Sequence, residues 1–219
     1  MRMVTRRQAV RTIVRSAGGL WVVRYLPGCA AQGSGGPSGD NTNHNTSDGP
    51  DPDLLLLESN DHVEGDREAS NVIIEYGDFE CPDCGDFFRE NGPAVMSELV
   101  ETGQAAFMFR HFPQSSIHAN ARLAAVASEC VVDFFEYHDL LFNNQEALTR
   151  DDLIGYAEQV GLNAATFENC LNGGAKVPRV DRDVDSGTQL GVVETPTFFV
   201  NGETLTGNRT VADFQALLS

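Results

Sequence analysis

Two cysteines three positions apart stand where an apolar run ends and a helical pattern begins: Cys81-Pro82-Asp83-Cys84. No other feature constrains the chain as strongly. The residues before it, Val72-Ile73-Ile74-Glu75-Tyr76, form a short β-branched run and read as a buried strand. After it, Phe87, Phe88, Val95 and Leu99 recur at helical spacing over 82–102, with Gly92-Pro93 predicting a kink. Cysteines at i and i+3 on a first helical turn can close a short disulfide. Cys81 then sits at the helix start, where free N–H groups and the macrodipole stabilise a thiolate. Cys84 lies one turn in, partly buried, and resolves a mixed disulfide formed at Cys81. A structural zinc site needs four ligands, usually with a second Cys-x-x-Cys or paired histidines. There is no second pair, and His111 and His118 stand without a partner motif, so no metal is expected. A purely structural bridge across this loop would be short and strained.

The rest of the folded region alternates. Ala105-Ala106-Phe107-Met108-Phe109 reads as a second strand after a turn at Gly103. Leu123, Ala127, Cys130, Val131, Phe134, His138 and Leu141 follow at steps of three and four and predict a long helix. Thr149, with Asp152 three residues on, predicts the N-cap of a second helix that stops at Gly161. A third carries Phe167, Cys170 and Leu171, and a fourth Val177, Val180, Val184, Gly187 and Leu190. Thr197 to Val200 is a strand, Asn201-Gly202 a two-residue hairpin turn, and Glu203 to Leu205 the return strand. Val211 to Leu218 closes the chain as a helix. This order describes a mixed α/β domain over 54–219, with a helical block inserted at about 115–175 between its halves.

Charge sets the first 53 residues apart. Six of the fifteen basic residues lie in residues 1–29, which hold no acid; nine bases remain against 32 acids. Nothing in that remainder neutralises phosphates, so a nucleic-acid partner is excluded. Acids spread over every segment after position 39, with Lys176 the sole lysine, suit a protein working in brine, where charge repulsion is screened. The competing reading is an ordinary acidic soluble protein. Thr5-Arg6-Arg7-Gln8 reads as a twin-arginine export signal, followed by a weak apolar stretch over 17–23. Leu26-Pro27-Gly28-Cys29 is similar to a lipobox, which would make Cys29 a lipidated N-terminus. Arg24 and Pro27 depart from that pattern, and the alternative is a basic amphipathic helix that stays on the protein. Residues 30–53 are Gly, Ser, Asn, Asp, Thr and Pro, too polar to offset chain entropy, and read as a flexible tether.

Of five cysteines, Cys130 and Cys170 remain. Two buried free thiols are one reading; outside the cytoplasm a disulfide between them is favoured.

Phe79-Glu80-Cys81-Pro82-Asp83-Cys84, with Glu75 six residues before Cys81, resembles the DsbA-like thiol–disulfide oxidoreductases of the thioredoxin superfamily. Arg110-His111-Phe112-Pro113, His118-Ala119-Asn120-Ala121, Tyr137-His138-Asp139-Leu140-Leu141 and Val193-Glu194-Thr195-Pro196-Thr197 fit the same family over about 58–219. The resemblance implies a thioredoxin fold interrupted by a helical lobe, and a cis Thr195–Pro196 bond packed against the cysteines. An ordinary trans proline at a strand start is the alternative. It implies that Glu75 is a buried carboxyl with a raised pKa that takes the Cys84 proton, rather than a side chain reaching the surface. The best-known oxidase of the family has His where this sequence has Asp83. Asp83, with Asp78, Glu80 and Asp86 near it, is expected to oppose the Cys81 thiolate and leave the pair less oxidising. The resulting expectation is a monomeric, lipid-tethered, extracytoplasmic oxidoreductase without cofactor. Its substrates are exported cysteine-containing proteins, and a membrane redox partner reoxidises it. A reductase or isomerase, or a peptide-holding chaperone without redox turnover, are the rival readings.

Overall fold

The β-branched run ahead of the cysteines is β2 (Val72–Gly77), the middle strand of a five-stranded sheet. The coordinates are a computed structural model, which describes residues 52–219. The export signal, Cys29 and the tether up to Asp51 lie outside the described residues. The strand order is β1-β3-β2-β4-β5, where β1 is His62–Glu64, β3 Ala106–His111, β4 Thr197–Val200 and β5 Glu203–Thr206. β2 and β3 run parallel and every other pairing is antiparallel. A parallel pair needs a long crossover, and the helical run over 82–100 supplies it.

That run is not uniform. α1 (Pro82–Asp86) passes through wide i→i+5 turns at Phe87–Asn91 into α2 (Gly92–Val95), then widens again over Met96–Val100. Pro93 has no N–H to offer and its ring would crowd the carbonyl one turn earlier; the wide turn before it accommodates both effects. The kink predicted at Gly92-Pro93 is thus taken up as a local change of helical pitch.

One sheet face packs Ile73, Phe107, Phe109, Phe198 and Val200 against Phe87, Leu99, Phe214 and the helical lobe. The other packs Ile74, Tyr76, Met108 and Phe199 with Val192. The lobe contains α3 (Ala121–Ser128), α4 (Phe134–Asn143), α5 (Arg150–Gln159) and α6 (Ala164–Gly173). α7 (Val177–Gln189) returns the chain to the sheet, and α8 (Val211–Gln215) closes it. α5 begins with a capping box in which Thr149 and Asp152 each satisfy the other's backbone N–H. Asn201 and Gly202 take φ of 51° and 88°, the left-handed pair that a two-residue hairpin needs.

The structure corrects two sequence expectations. The long helix expected over 123–141 is two helices, broken at 129–133. Glu129 is drawn inward to two histidines, Cys130 is bonded to Cys170, and Asp133 turns extended to accept the Glu136 N–H as a new N-cap. The second strand runs past Phe109 through Arg110 and His111, because both polar side chains find buried partners. Among the described residues no helix is long and apolar enough to cross a membrane.

The Cys130–Cys170 disulfide ties the α3–α4 link to α6 across 40 positions. A closed loop of that length restricts the unfolded chain enough to contribute roughly 4 kcal/mol. The double variant Cys130→Ala, Cys170→Ala is therefore expected to lose about 2–4 kcal/mol in urea unfolding, with Cys81 and Cys84 held oxidised. An unchanged unfolding midpoint would show that the lobe does not depend on this bond.

Candidate active site

Cys81 is the N-cap of α1, in extended conformation, with Pro82 at the first helical position. Proline is suited there, because its fixed φ matches the helix and its missing N–H would have had no helical partner. Both thiols are free, but they are not equivalent: Cys81 is 7% exposed and Cys84 0%. The Cys81 pKa is lowered from the usual thiol value to about 6. A hydrogen bond from the Cys84 thiol is the main cause; Thr195 and the backbone N–H groups of Cys84 and Asp83 add to it, against partial burial. The Cys84 thiol moves the other way, raised by burial and then by its donation to Cys81 and the charge of Glu75.

Glu75 projects from β2 toward the main core, in register between Phe109 and Phe198. Burial, and then the charge of Cys81, push its carboxyl up to about 8, so it is protonated at neutral pH. Its Oε1 is buried without a hydrogen-bond partner. The Thr195–Pro196 bond is cis, and the Thr195 carbonyl accepts from Cys81 Sγ at 3.2 Å. Cys81, Cys84, Glu75 and Thr195 are thus brought together. Pro82 and Asp83 are exposed beside them, and it is the Asp83 backbone N–H that acts on the Cys81 sulfur.

Two acids expected to oppose the thiolate are committed elsewhere. Asp78 is buried and accepts from the N–H of Glu80 and Gln114, and pairs with His118 Nδ1 at 2.7 Å. Glu80 accepts from the backbone N–H and side-chain amide of Asn120, at 2.6 and 3.1 Å. His118 and Asn120 thereby hold the loop before the cysteines to the start of α3. On the opposite side the Phe79 ring is enclosed by Phe109, Phe142 and His138. Sequence reasoning also missed Gln145, in the loop between α4 and α5. Its amide nitrogen donates to the carbonyls of Phe79, at 3.0 Å, and Cys81, at 2.7 Å. Its oxygen accepts from Arg89 Nη1 at 3.1 Å. A polar residue in a loop carries no sequence signal that would have singled it out.

One group of metal-type ligands comes together among the described residues: His62 Nε2 and His111 Nε2 lie 2.6 and 3.1 Å from the same oxygen of Glu129. Sequence analysis gave His111 no partner, because His62 and Glu129 reach it only through the fold. Arg179 Nε stands 3.8 Å from that oxygen and Arg179 also pairs with Asp61 and Asp183, while Asp61 pairs with Arg110. Two imidazoles thus share one carboxylate oxygen, and the Arg179 guanidinium links that group to the Asp61 and Asp183 ion pairs. Against the cost of burial, His111 and His62 hold the Glu129 carboxyl well below the usual range.

An open cysteine pair at a strand-to-helix junction, facing a cis-proline loop in this sheet, is a thioredoxin-type dithiol site. The chain belongs to the thioredoxin family, whose profile matches residues 58–219. Its fold is that of DsbA-like members. It is similar to alpha-DsbA1 of Wolbachia pipientis, at 25% identity and a TM-score of 0.66, covering 75% of this chain and 92% of that one. It is also similar to oxidised BdbD of Bacillus subtilis, at 25% identity and a TM-score of 0.64, covering 76% and 90%. Among curated proteins it is 39% identical over 162 residues to Na(+)/H(+) antiporter NhaA 1 of Salinispora arenicola, covering 73% of this chain and 24% of that protein. It is 41% identical over 145 residues to NhaA 3 of Salinispora tropica, covering 65% and 22%. The chain thus spans about a quarter of the length of these curated relatives.

The separated thiols have a measurable consequence. Below the Cys81 pKa, reduction takes up two protons for two electrons; above it Cys81 stays a thiolate and only one is taken up. The reduction potential should therefore fall by about 59 mV per pH unit below pH 6 and by about 30 mV above it. The same lowered pKa adds stability to the reduced fold as pH rises from about 6 to the ordinary thiol value, and loses it as pH falls through 6. Potentials measured against glutathione over pH 5–8 check this, and a slope that never breaks would refute the depressed Cys81 pKa.

Proposed function

We propose that this protein is an exported, membrane-tethered oxidase of cysteine pairs in other exported proteins, working through Cys81 and Cys84. The observation that carries the reading is the division of labour in the pair: a low-pKa thiol at the helix start, backed by a fully buried thiol and a protonated carboxyl.

In the oxidised enzyme a substrate thiolate attacks Cys81 Sγ. The Cys81–Cys84 bond breaks, a substrate–Cys81 disulfide forms, and Cys84 leaves. Glu75, neutral and coupled to Cys84, supplies a proton to the leaving sulfur, which burial disfavours as a thiolate. A second substrate thiolate then attacks the substrate sulfur of the mixed disulfide and expels Cys81 as the stabilised thiolate. Two electrons pass from the substrate pair to the enzyme pair, and a membrane partner later removes them. Stabilising the reduced enzyme at Cys81 favours this direction of flow. The backbone at Thr195, beside the cis proline, is where an extended substrate segment would align as an added strand.

The location rests on sequence: Arg6-Arg7 for export, Cys29 for lipidation, residues 30–53 as the tether, and the acidity of the rest for life in high salt. No cofactor or nucleic acid takes part in this scheme, and the protein acts as a monomer.

Two tests separate the parts of this reading. Cys84→Ser charged at Cys81 as a mixed disulfide with thionitrobenzoate should pass that bond to a reduced cysteine-containing protein, releasing thionitrobenzoate and leaving an adduct cleavable by reductant, whereas Cys81→Ser treated alike should trap none. Full function in the Cys81→Ala, Cys84→Ala variant would instead favour a peptide-holding role without redox turnover. Independently, mass spectrometry of the membrane fraction should find a mature N-terminus at Cys29 carrying lipid. A chain beginning at Met1 in that fraction would sink the export reading while leaving the chemistry untouched.

A further inference from the structure

We infer that Gln145, reaching in from the helical lobe, is a positioning residue for Cys81: it fixes the turn from which that thiol attacks and thereby favours its thiolate. The inference rests on the reading of Cys81 as the attacking thiol.

An amide nitrogen has two hydrogens, and here it serves two carbonyls, those of Phe79 and Cys81, which bracket the turn into α1. The Cys81 carbonyl also accepts the Gly85 N–H that starts the helix, so Gln145 grips the atom from which α1 is hung. Arg89 donates into the Gln145 oxygen, and holds Asp86 and the Phe142 carbonyl with its other hydrogens. A guanidinium at the oxygen polarises the amide, making its nitrogen end a stronger donor and more positive toward the Cys81 turn. The chain leaves room for this arrangement. A Cβ at position 85 would lie 1.9 Å from the Gln145 oxygen and 2.7 Å from Arg89 Nη2, so Gly85 is the residue that lets the amide in.

Cys81 owes part of its low pKa to the backbone N–H groups of Asp83 and Cys84 aimed at its sulfur. Those N–H groups belong to the first turn, whose geometry follows from where the Cys81 carbonyl is held. Releasing that carbonyl loosens the aim and removes the positive end of the amide dipole. Both effects disfavour the thiolate. A tie serving only to fasten the lobe would cost stability and leave the thiol unchanged.

Gln145→Met keeps the length of the side chain and removes its donors. In the reduced full-length protein, alkylation of Cys81 followed at its own peptide across pH should give a pKa higher by about half to one unit than wild type. The potential against glutathione should fall by the equivalent of about 15–30 mV. Gly85→Ala, which evicts the amide by size, should move the pKa the same way. The double variant should move it no further than the larger single change, since both act through one contact. Gln145→Glu keeps a partner for Arg89 but cannot donate, and should also raise it. A depressed wild-type pKa that all three single variants leave in place, even with a lower melting temperature, overturns the inference alone. A wild-type Cys81 with an ordinary thiol pKa overturns the reading of the pair and this inference with it.

Discussion

A helix cannot satisfy the N–H groups of its own first turn, and in this protein those of Asp83 and Cys84 stand beside a sulfur and favour its thiolate. The sheet delivers β2 to its end at Gly77, a short loop brings the chain to Cys81, and α1 begins there with its unpaired donors facing the thiol. The rest of the site serves that arrangement. Asp78 and Glu80 are tied to His118 and Asn120, which removes their freedom to swing toward the thiolate. The Phe79 ring is wedged among aromatic side chains, and the Thr195 carbonyl closes the open side. Cys84 and Glu75 lie behind, in a region dry enough to keep both protonated.

The opposite face of the sheet is governed by charge rather than by redox chemistry. Arg110 reaches from β3 to the carbonyls of Leu54 and Leu56 and to Asp61, so it pins the segment that leads into the domain. Arg179 on α7 shares Asp61 and adds Asp183, whose other oxygen accepts the His111 N–H. Buried charges are costly unless paired, and here they are paired several times over. Such a network contributes less to net stability than its bonds suggest, but removing one member leaves its partners stranded. The entering segment, β3, α3 and α7 are therefore held in one register relative to the active-site face.

What the sequence made legible was what local chemistry decides. A β-branched run meeting Cys-Pro-x-Cys, an Asn-Gly turn between strands, and a Thr-x-x-Asp start to a helix each carry their own cause within a few residues. β1 has no such cause: His62-Val63-Glu64 is a strand because Phe107 to Phe109 lie alongside it. The break at 129–133 was hidden because Glu129 fits a helical periodicity and leaves it only to meet His62 and His111. Arg110 and His111 looked like a strand's exit, since nothing nearby in sequence shows that Asp61 and Glu129 await them. At the site, the cysteines, Glu75 and Thr195-Pro196 were readable from motif and order. Gln145 was not, because its role comes from two backbone carbonyls more than sixty positions away.

The two borders of the sheet carry a consequence for crowding. β1 offers three residues at one border and β5 four at the other, and β5 is partly wetted, with Glu203 in it. Unpaired backbone along a long flat border invites foreign chains to extend the sheet. Unfolded polypeptides are the very molecules that would add to such a border. Borders this short give a stray chain only a few bonds, too few to outweigh the entropy of ordering it. A sheet with borders this short is a poor seed for such chains.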